Sequence, residues 1–280
     1  MSVYAERPSR LPGAVLWTAA PSGREPRAVL PDGCMDLMWS EGRLLVAGPD
    51  TGAHVPDGPP ASWAGLRFFP GTAPGFLGVP AHALRDRRVD LTDLWPPARV
   101  RRLRAAVEAA TDPATGLEEA VLPGVTPPDP ALRRLVTALG AGRPVGAVAD
   151  ELGFGARRLH RTSLARFGYG PKTLARVLRL QRALALARAG APLAGTAVRA
   201  GYADQAHLAR DVRALTGRTP SELLGERREQ VDAVAVRVVD DGVPLAPEGV
   251  PGLELPVVAS ADELFVDGVH LTGRLAAQGE

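Results

Sequence analysis

A single cysteine, Cys34, stands in the 280 residues. That excludes an internal disulfide and any cysteine-rich zinc site. Aromatic side chains are 5% of the chain, so the cores must rest on Leu, Val and Ala. Lysine is all but missing: Lys172 is the only one among 33 basic residues. No basic-then-apolar leader opens the chain, and no apolar run approaches the ~18 residues of a membrane span. A cytoplasmic, nucleoid-associated protein without a membrane partner is therefore expected. No Ser/His/Asp pattern or glycine-rich phosphate loop stands out. Motifs thus offer no catalytic residue, no cofactor and no metal site.

What is present is uneven charge. The net charge is only +2. Residues 1–125 hold 13 basic and 14 acidic side chains, residues 126–228 hold 18 and 7, and residues 229–280 hold 2 and 10. A compact stretch at +11 calls for a polyanion or an acidic partner, unless it is simply a solvated basic face. The last stretch, at −8, has the opposite character.

Three segments follow from the pattern. The first, 1–123, is dense in Gly and Pro, with short apolar runs at 14–18, 35–39, 44–47 and 66–69. Turn signals separate them, as in Pro31-Asp32-Gly33 and Glu41-Gly42. Such spacing predicts a small β-barrel or sandwich. Val100, Leu103 and Val107 then share one helical face. The second segment, 128–225, is helical: Leu132, Leu135, Val136 and Leu139 sit at i, i+3, i+4, i+7. The third, 226–280, reads as an acidic, strand-rich appendage with an Asp267-Gly268 turn. The fold class expected is α+β, with an all-α carboxy-terminal domain.

The helical segment contains a repeat. Leu159, Arg161, Gly168 and Pro171 recur 49 residues later as Leu208, Arg210, Gly217 and Pro220. Upstream, Pro144, Ala149 and Gly153 recur 48 residues later as Pro192, Ala197 and Gly201. The one-residue slip falls in the turn, where insertions are tolerated. Each unit parses as a short helix after proline (145–152, 193–200), a glycine turn, and a second helix (156–166, 204–215) stopped by glycine. This is a double helix-turn-helix. Residues 172–189 form a spacer helix of about 27 Å at 1.5 Å per residue. Two groove-reading helices on one face of B-DNA sit about 34 Å apart. Arg176, Arg179 and Arg182 lie at i, i+3, i+6 on that spacer.

These residues resemble the DNA-binding domain of the AraC/XylS family of bacterial regulators. The matching motifs are Ala149-Asp150-Glu151-Leu152-Gly153, Leu159-His160-Arg161, Gly168-Tyr169-Gly170-Pro171-Lys172, Arg179-Leu180-Gln181-Arg182-Ala183, and Gly201 through Arg210, closing on Gly217-Arg218-Thr219-Pro220. Three stretches of the first segment, Pro31 through Leu37, Arg67 through Gly71 and Val89 through Trp95, are similar to a poorly characterised, cupin-like amino-terminal domain on actinobacterial members. The resemblance implies a transcription regulator, not an enzyme. Its partners would be double-stranded DNA, RNA polymerase and a small-molecule effector at the first domain, and it would act as monomer or homodimer.

By family position, Arg157, His160 and Arg161 face bases in the first unit, and Gln205, Ala206, Ala209 and Arg210 in the second. Arginine pairs with guanine and glutamine with adenine, while alanine contacts a thymine methyl. Arg158, Arg166, Lys172, Arg176, His207 and Arg218 are phosphate candidates. One departure stands out. Where the family places a large aromatic, four residues beyond each repeated leucine, this chain has Ser163 and Val212, and Phe167 is the substitute for the first core. The alternatives are a DNA-repair enzyme or alkyl acceptor using Cys34, and a non-specific architectural DNA binder. His54, His82 and Asp86 are the metal ligands that a metal reading would draw together.

Overall fold

The structure, a computed structural model, describes residues 4–21, 28–57 and 61–225. The acidic appendage expected from 226 to 280 lies outside the described residues.

Six strands form one antiparallel sheet: β1 (Tyr4–Pro8), β2 (Val15–Ala19), β3 (Met35–Ser40), β4 (Arg43–Ala47), β5 (Trp63–Phe68) and β6 (Arg88–Asp90). Their order is β1-β2-β5-β3-β4-β6. The β3–β4 hairpin closes on Glu41 and Gly42, both at positive φ (46° and 83°). That is the demand of a two-residue turn matched to strand twist. Alternation along the strands sorts their side chains onto two faces. Leu16, Leu37, Trp39, Ala64, Leu66 and Phe68 are buried in one core with residues of the helices α1 (Ala73–Leu77), α2 (Pro97–Ala109) and α3 (Pro113–Val121). Within α2 the buried residues are Val100, Leu103 and Val107, the face that their spacing predicts.

The opposite face is mixed: Val15, Trp17, Met38 and Leu45 share it with Asp36 and Arg67. Arg67 on β5 is nearly buried and meets three carboxylates: Glu6 at 3.0 Å, Asp32 at 3.3 Å and Asp36 at 3.4 Å. Trp17 lies over Gly65, where a Cβ would come within 2.2 Å of the indole, and its Nε1 donates to Asp36 at 2.6 Å.

Helices alone follow: α4 (Pro130–Gly140), α5 (Val145–Glu151), α6 (Ala156–Phe167), α7 (Pro171–Arg188), α8 (Leu193–Ala200) and α9 (Gln205–Thr216). A further helical stretch starts at Pro220. The glycines of the repeat take the left-handed conformation expected of them: Gly153 (66°), Gly168 (84°), Gly201 (88°) and Gly217 (72°). Only glycine adopts it without steric cost.

Two further cores hold these helices. The first gathers Leu132, Leu135, Val136 and Leu139 with Leu159, Phe167, Tyr169, Leu174 and Val177, and it also contains Phe69 from the end of β5. The second gathers Leu180, Leu184, Ala197, Tyr202, Leu208, Val212 and Leu215, with Leu30 of the sheet domain packed against it. The sheet domain therefore supplies apolar side chains to both helix-turn-helix units. Backbone contacts reinforce this docking. Gln181 of α7 donates to the Pro31 carbonyl at 2.7 Å, and the Ala53 N–H donates to the Leu215 carbonyl at 2.8 Å. At Gly168 an added Cβ would lie 2.5 Å from Pro49 Cγ, so the approach there needs glycine twice over.

Candidate nucleic-acid interface

Helix α6 starts behind Gly155 and turns Leu159, Ser163 and Phe167 inward. Its outward side carries Arg157, Arg158, His160 and Arg161, all exposed. Helix α9 is capped by Asp204, whose carboxylate accepts from the His207 N–H at 2.6 Å. It buries Leu208, Asp211, Val212 and Leu215 and presents Gln205, Ala206 and Arg210, with Ala209 half-buried. The two sets of base-reading candidates thus fall on the outer faces of their helices. Carboxylates are absent from α6, and the single one in α9, Asp211, points inward. Neither outer face offers a negative charge to repel a phosphate.

Asp211 has a structural role that the base-reading pattern does not suggest. It accepts from Arg176 Nε in a close contact, lies 3.5 Å from Arg179 Nη2, and accepts from the Tyr202 hydroxyl at 3.1 Å. Arg179 stacks over the Tyr202 ring, 4.6 Å from its centroid. Burial first, then the Asp211 charge, pushes the Tyr202 hydroxyl above its ordinary range, so it stays a donor. The spacer arginines 176 and 179 therefore brace α7 against the second unit. The sequence does carry a signal for this: Asp211 lies three residues after Leu208, on the apolar face of a basic helix.

The phosphate candidates divide. Arg158 and Lys172 are exposed, and the Arg158 guanidinium stands 5.1 Å from the Phe154 ring centroid. Arg166 lies on the sheet-domain side of α6, its Nη1 3.5 Å from where a Cβ on Gly75 would sit. Arg218 is half-buried just beyond α9. His207 is set edge-on against Tyr202 at 5.1 Å, and its Nδ1 accepts from the Ala203 N–H at 3.3 Å. Its ring is part of the turn between α8 and α9.

The Cys34 alternative loses its chemistry here. The thiol is buried, and burial first, with Asp32 adding, pushes its pKa well up, away from the reactive thiolate. His54, His82 and Asp86 are not brought together: among the described residues no group of three His, Cys, Asp or Glu side chains is arranged to hold a metal. His82 instead sets Nδ1 3.3 Å from the Leu164 carbonyl of α6. Among the described residues no helix is long and apolar enough to cross a membrane.

Residues 148–226 match the model of a helix-turn-helix domain, and residues 14–90 match a domain of unknown function, DUF6597. The first match spans both glycine-stopped units, where the AraC/XylS motifs lie. Residues 148–226 therefore carry an AraC-type helix-turn-helix domain. Such a domain is a DNA-binding module of transcription regulation. No curated protein matches this chain.

Structures of ToxT from Vibrio cholerae resemble it distantly. One from strain O395 is 9% identical over 75% of this chain and 96% of ToxT, with a TM-score of 0.40. ToxT bound to (E)-4-(8-methylnaphthalen-1-yl)but-3-enoic acid gives 9%, 79%, 98% and 0.42. Wild-type ToxT bound to an unsaturated fatty acid, from strain SCE256, gives 9%, 79%, 90% and 0.39. Likeness at that level transfers neither ligand to this chain.

Proposed function

We propose that this regulator reads two adjacent major-groove segments of one DNA face, with α6 in one and α9 in the next. The observation that supports it is the pair of outer faces: Arg157, His160 and Arg161 on α6, and Gln205, Ala206 and Arg210 on α9, with no exposed carboxylate on either helix. Arg161 and Arg210 are the guanine readers and Gln205 the adenine reader, by the donor and acceptor pattern of the groove edges. Arg158, Lys172 and Arg218 set the register on phosphates. The sheet domain has a ligand-sensing role in the same scheme. Its support is the half-buried polar surface of Tyr4, Glu6, Trp17 and Asp36 around Arg67.

Selection of bound sequences from a random duplex pool tests this. The native chain should enrich a two-part site. Arg210→Ala should relax one guanine position in the second part, at a cost of about 1–3 kcal/mol, and Arg161→Ala should do the same in the first. Arg158→Ala should weaken all sequences alike. Equal affinity for every sequence would remove the regulator reading and favour the architectural one.

A further inference from the structure

The amino-terminal carboxylates include several that already hold a cation. Glu6, Asp32 and Asp36 surround Arg67, Asp50 holds Arg88 at 2.7 Å, and Glu118 holds Arg10 at 2.8 Å. In the helical domain Asp211 is spent on Arg176 and Arg179, Asp204 caps α9, and Glu151 pairs with Arg143 at 2.5 Å. The outer faces of α6 and α9, with Arg157, Arg158, Arg161, Arg210 and Arg213 exposed, have no carboxylate of their own. One other part of the chain has the complementary charge. Residues 229–280 carry ten acidic and two basic side chains. They follow closely on Gly225, the last described residue, which lies just behind the second helix-turn-helix unit.

We infer that the acidic segment 229–280 competes with DNA for the basic faces of α6 and α9. The occupant is this chain's own carboxy-terminal segment. Three observations carry the inference: opposite charge on the two parties, outer faces on α6 and α9 without a carboxylate within either helix, and a tether that follows closely in sequence on the second unit. Tethering turns the encounter into an intramolecular one, which raises the effective concentration of the segment at the basic faces. Weak contacts then suffice to compete. Phosphates and carboxylates draw on the same guanidiniums, so an arginine engaged by the segment is denied to DNA. The inference rests on the reading that these faces bind DNA.

The test uses the full chain with the segment neutralised: Asp232→Asn, Asp240→Asn, Asp241→Asn, Glu248→Gln, Glu254→Gln, Asp262→Asn and Glu263→Gln together. Binding to a fluorescent random-sequence duplex is measured at 50 and 300 mM salt. The variant should bind about tenfold tighter at 50 mM, and the gap should shrink to within about twofold at 300 mM, since the Debye length falls with salt. A synthetic peptide of residues 229–280 should displace duplex from native and variant chains at 50 mM, and the neutralised peptide should not. The peptide arm decides the matter even if the variant chain fails to fold. Equal binding by variant and native chain, with no displacement by the peptide, overturns the inference and leaves the DNA reading standing. A gap that does not shrink with salt also overturns it. Failure of every chain to bind duplex at 50 mM overturns the DNA reading itself.

Discussion

Arg67 shows how a single side chain organises the mixed face of the sheet. One guanidinium faces three carboxylates in a nearly buried setting, so the cluster cannot be fully ionised at low cost. Asp32 yields. Burial first raises its pKa, Arg67 opposes, and Asp36 adds to the rise. A carboxyl whose folded pKa lies above its unfolded value holds a proton in the fold that the unfolded chain has released. Its contribution to stability is therefore largest below the ordinary carboxylate range and declines as pH rises through the window up to the raised value. Asp32→Asn should abolish that decline. The amide keeps an oxygen for the Cys34 N–H, which Asp32 Oδ1 accepts at 2.8 Å. Urea unfolding at pH 5 and pH 8 should find the variant at least as stable as the native chain at pH 8, with a flatter profile between. A variant clearly weaker at pH 8 would mean that Asp32 is ionised and holds Arg67 as a true ion pair.

At the scale of elements, the clearest test concerns the α7–α9 brace. Asp211→Ala removes the acceptor shared by Arg176, Arg179 and Tyr202. The expected cost is about 2 kcal/mol, below that of a fully buried pair because both guanidiniums reach water. Tyr202→Phe combined with it should add much less than its own single effect, since both act on one contact. Additive costs in chemical denaturation would show that the contact is not shared. This brace also marks how far the elements are legible in the sequence. The helices of the repeat are readable to within about a residue, because proline starts and glycine stops leave little freedom to their ends. The strands 35–40, 43–47 and 63–68 are legible from their apolar runs. Strand β1 is not: Tyr-Ala-Glu-Arg-Pro holds no apolar run and sits at the sheet edge, paired with β2. Helix α3 escapes the apolar pattern although Asp112 caps it and Pro113 opens it, a signal present in the sequence. The outward residues of α6 and α9 are legible from family position, and Arg157, His160 and Arg161 also from their i, i+3, i+4 spacing. The inward face of Asp211 is also legible, from its place three residues after Leu208, but its partners Arg176 and Arg179 are not, since they depend on which helices cross, and no local pattern encodes that.

The whole molecule is bound together by what the first helix-turn-helix unit lacks. Ser163 stands where an aromatic side chain would fill the core, and it is buried. Its small side chain fills less of the core than an aromatic ring would. Phe167 alone does not close this core; its ring reaches across to Gly71, where an added Cβ would come within 2.8 Å. Phe69, two residues before Gly71, completes the same core from the other domain. The amino-terminal domain is thus a structural part of the first helix-turn-helix unit, and a change in one must be felt in the other. Phe69→Ala tests this coupling. Truncating a buried phenylalanine costs about 3–5 kcal/mol. If the side chain served only the sheet, hydrogen exchange would rise in β2, β3 and β5 while α4 to α6 stayed protected. The packing demands the reverse order: exchange should rise first across α4, α5 and α6, with α8 and α9 least affected, because their core has its own set of residues and leans on Leu30 instead. DNA affinity should then fall through loss of the first half of the site, and selection of bound sequences should still recover the half read by α9.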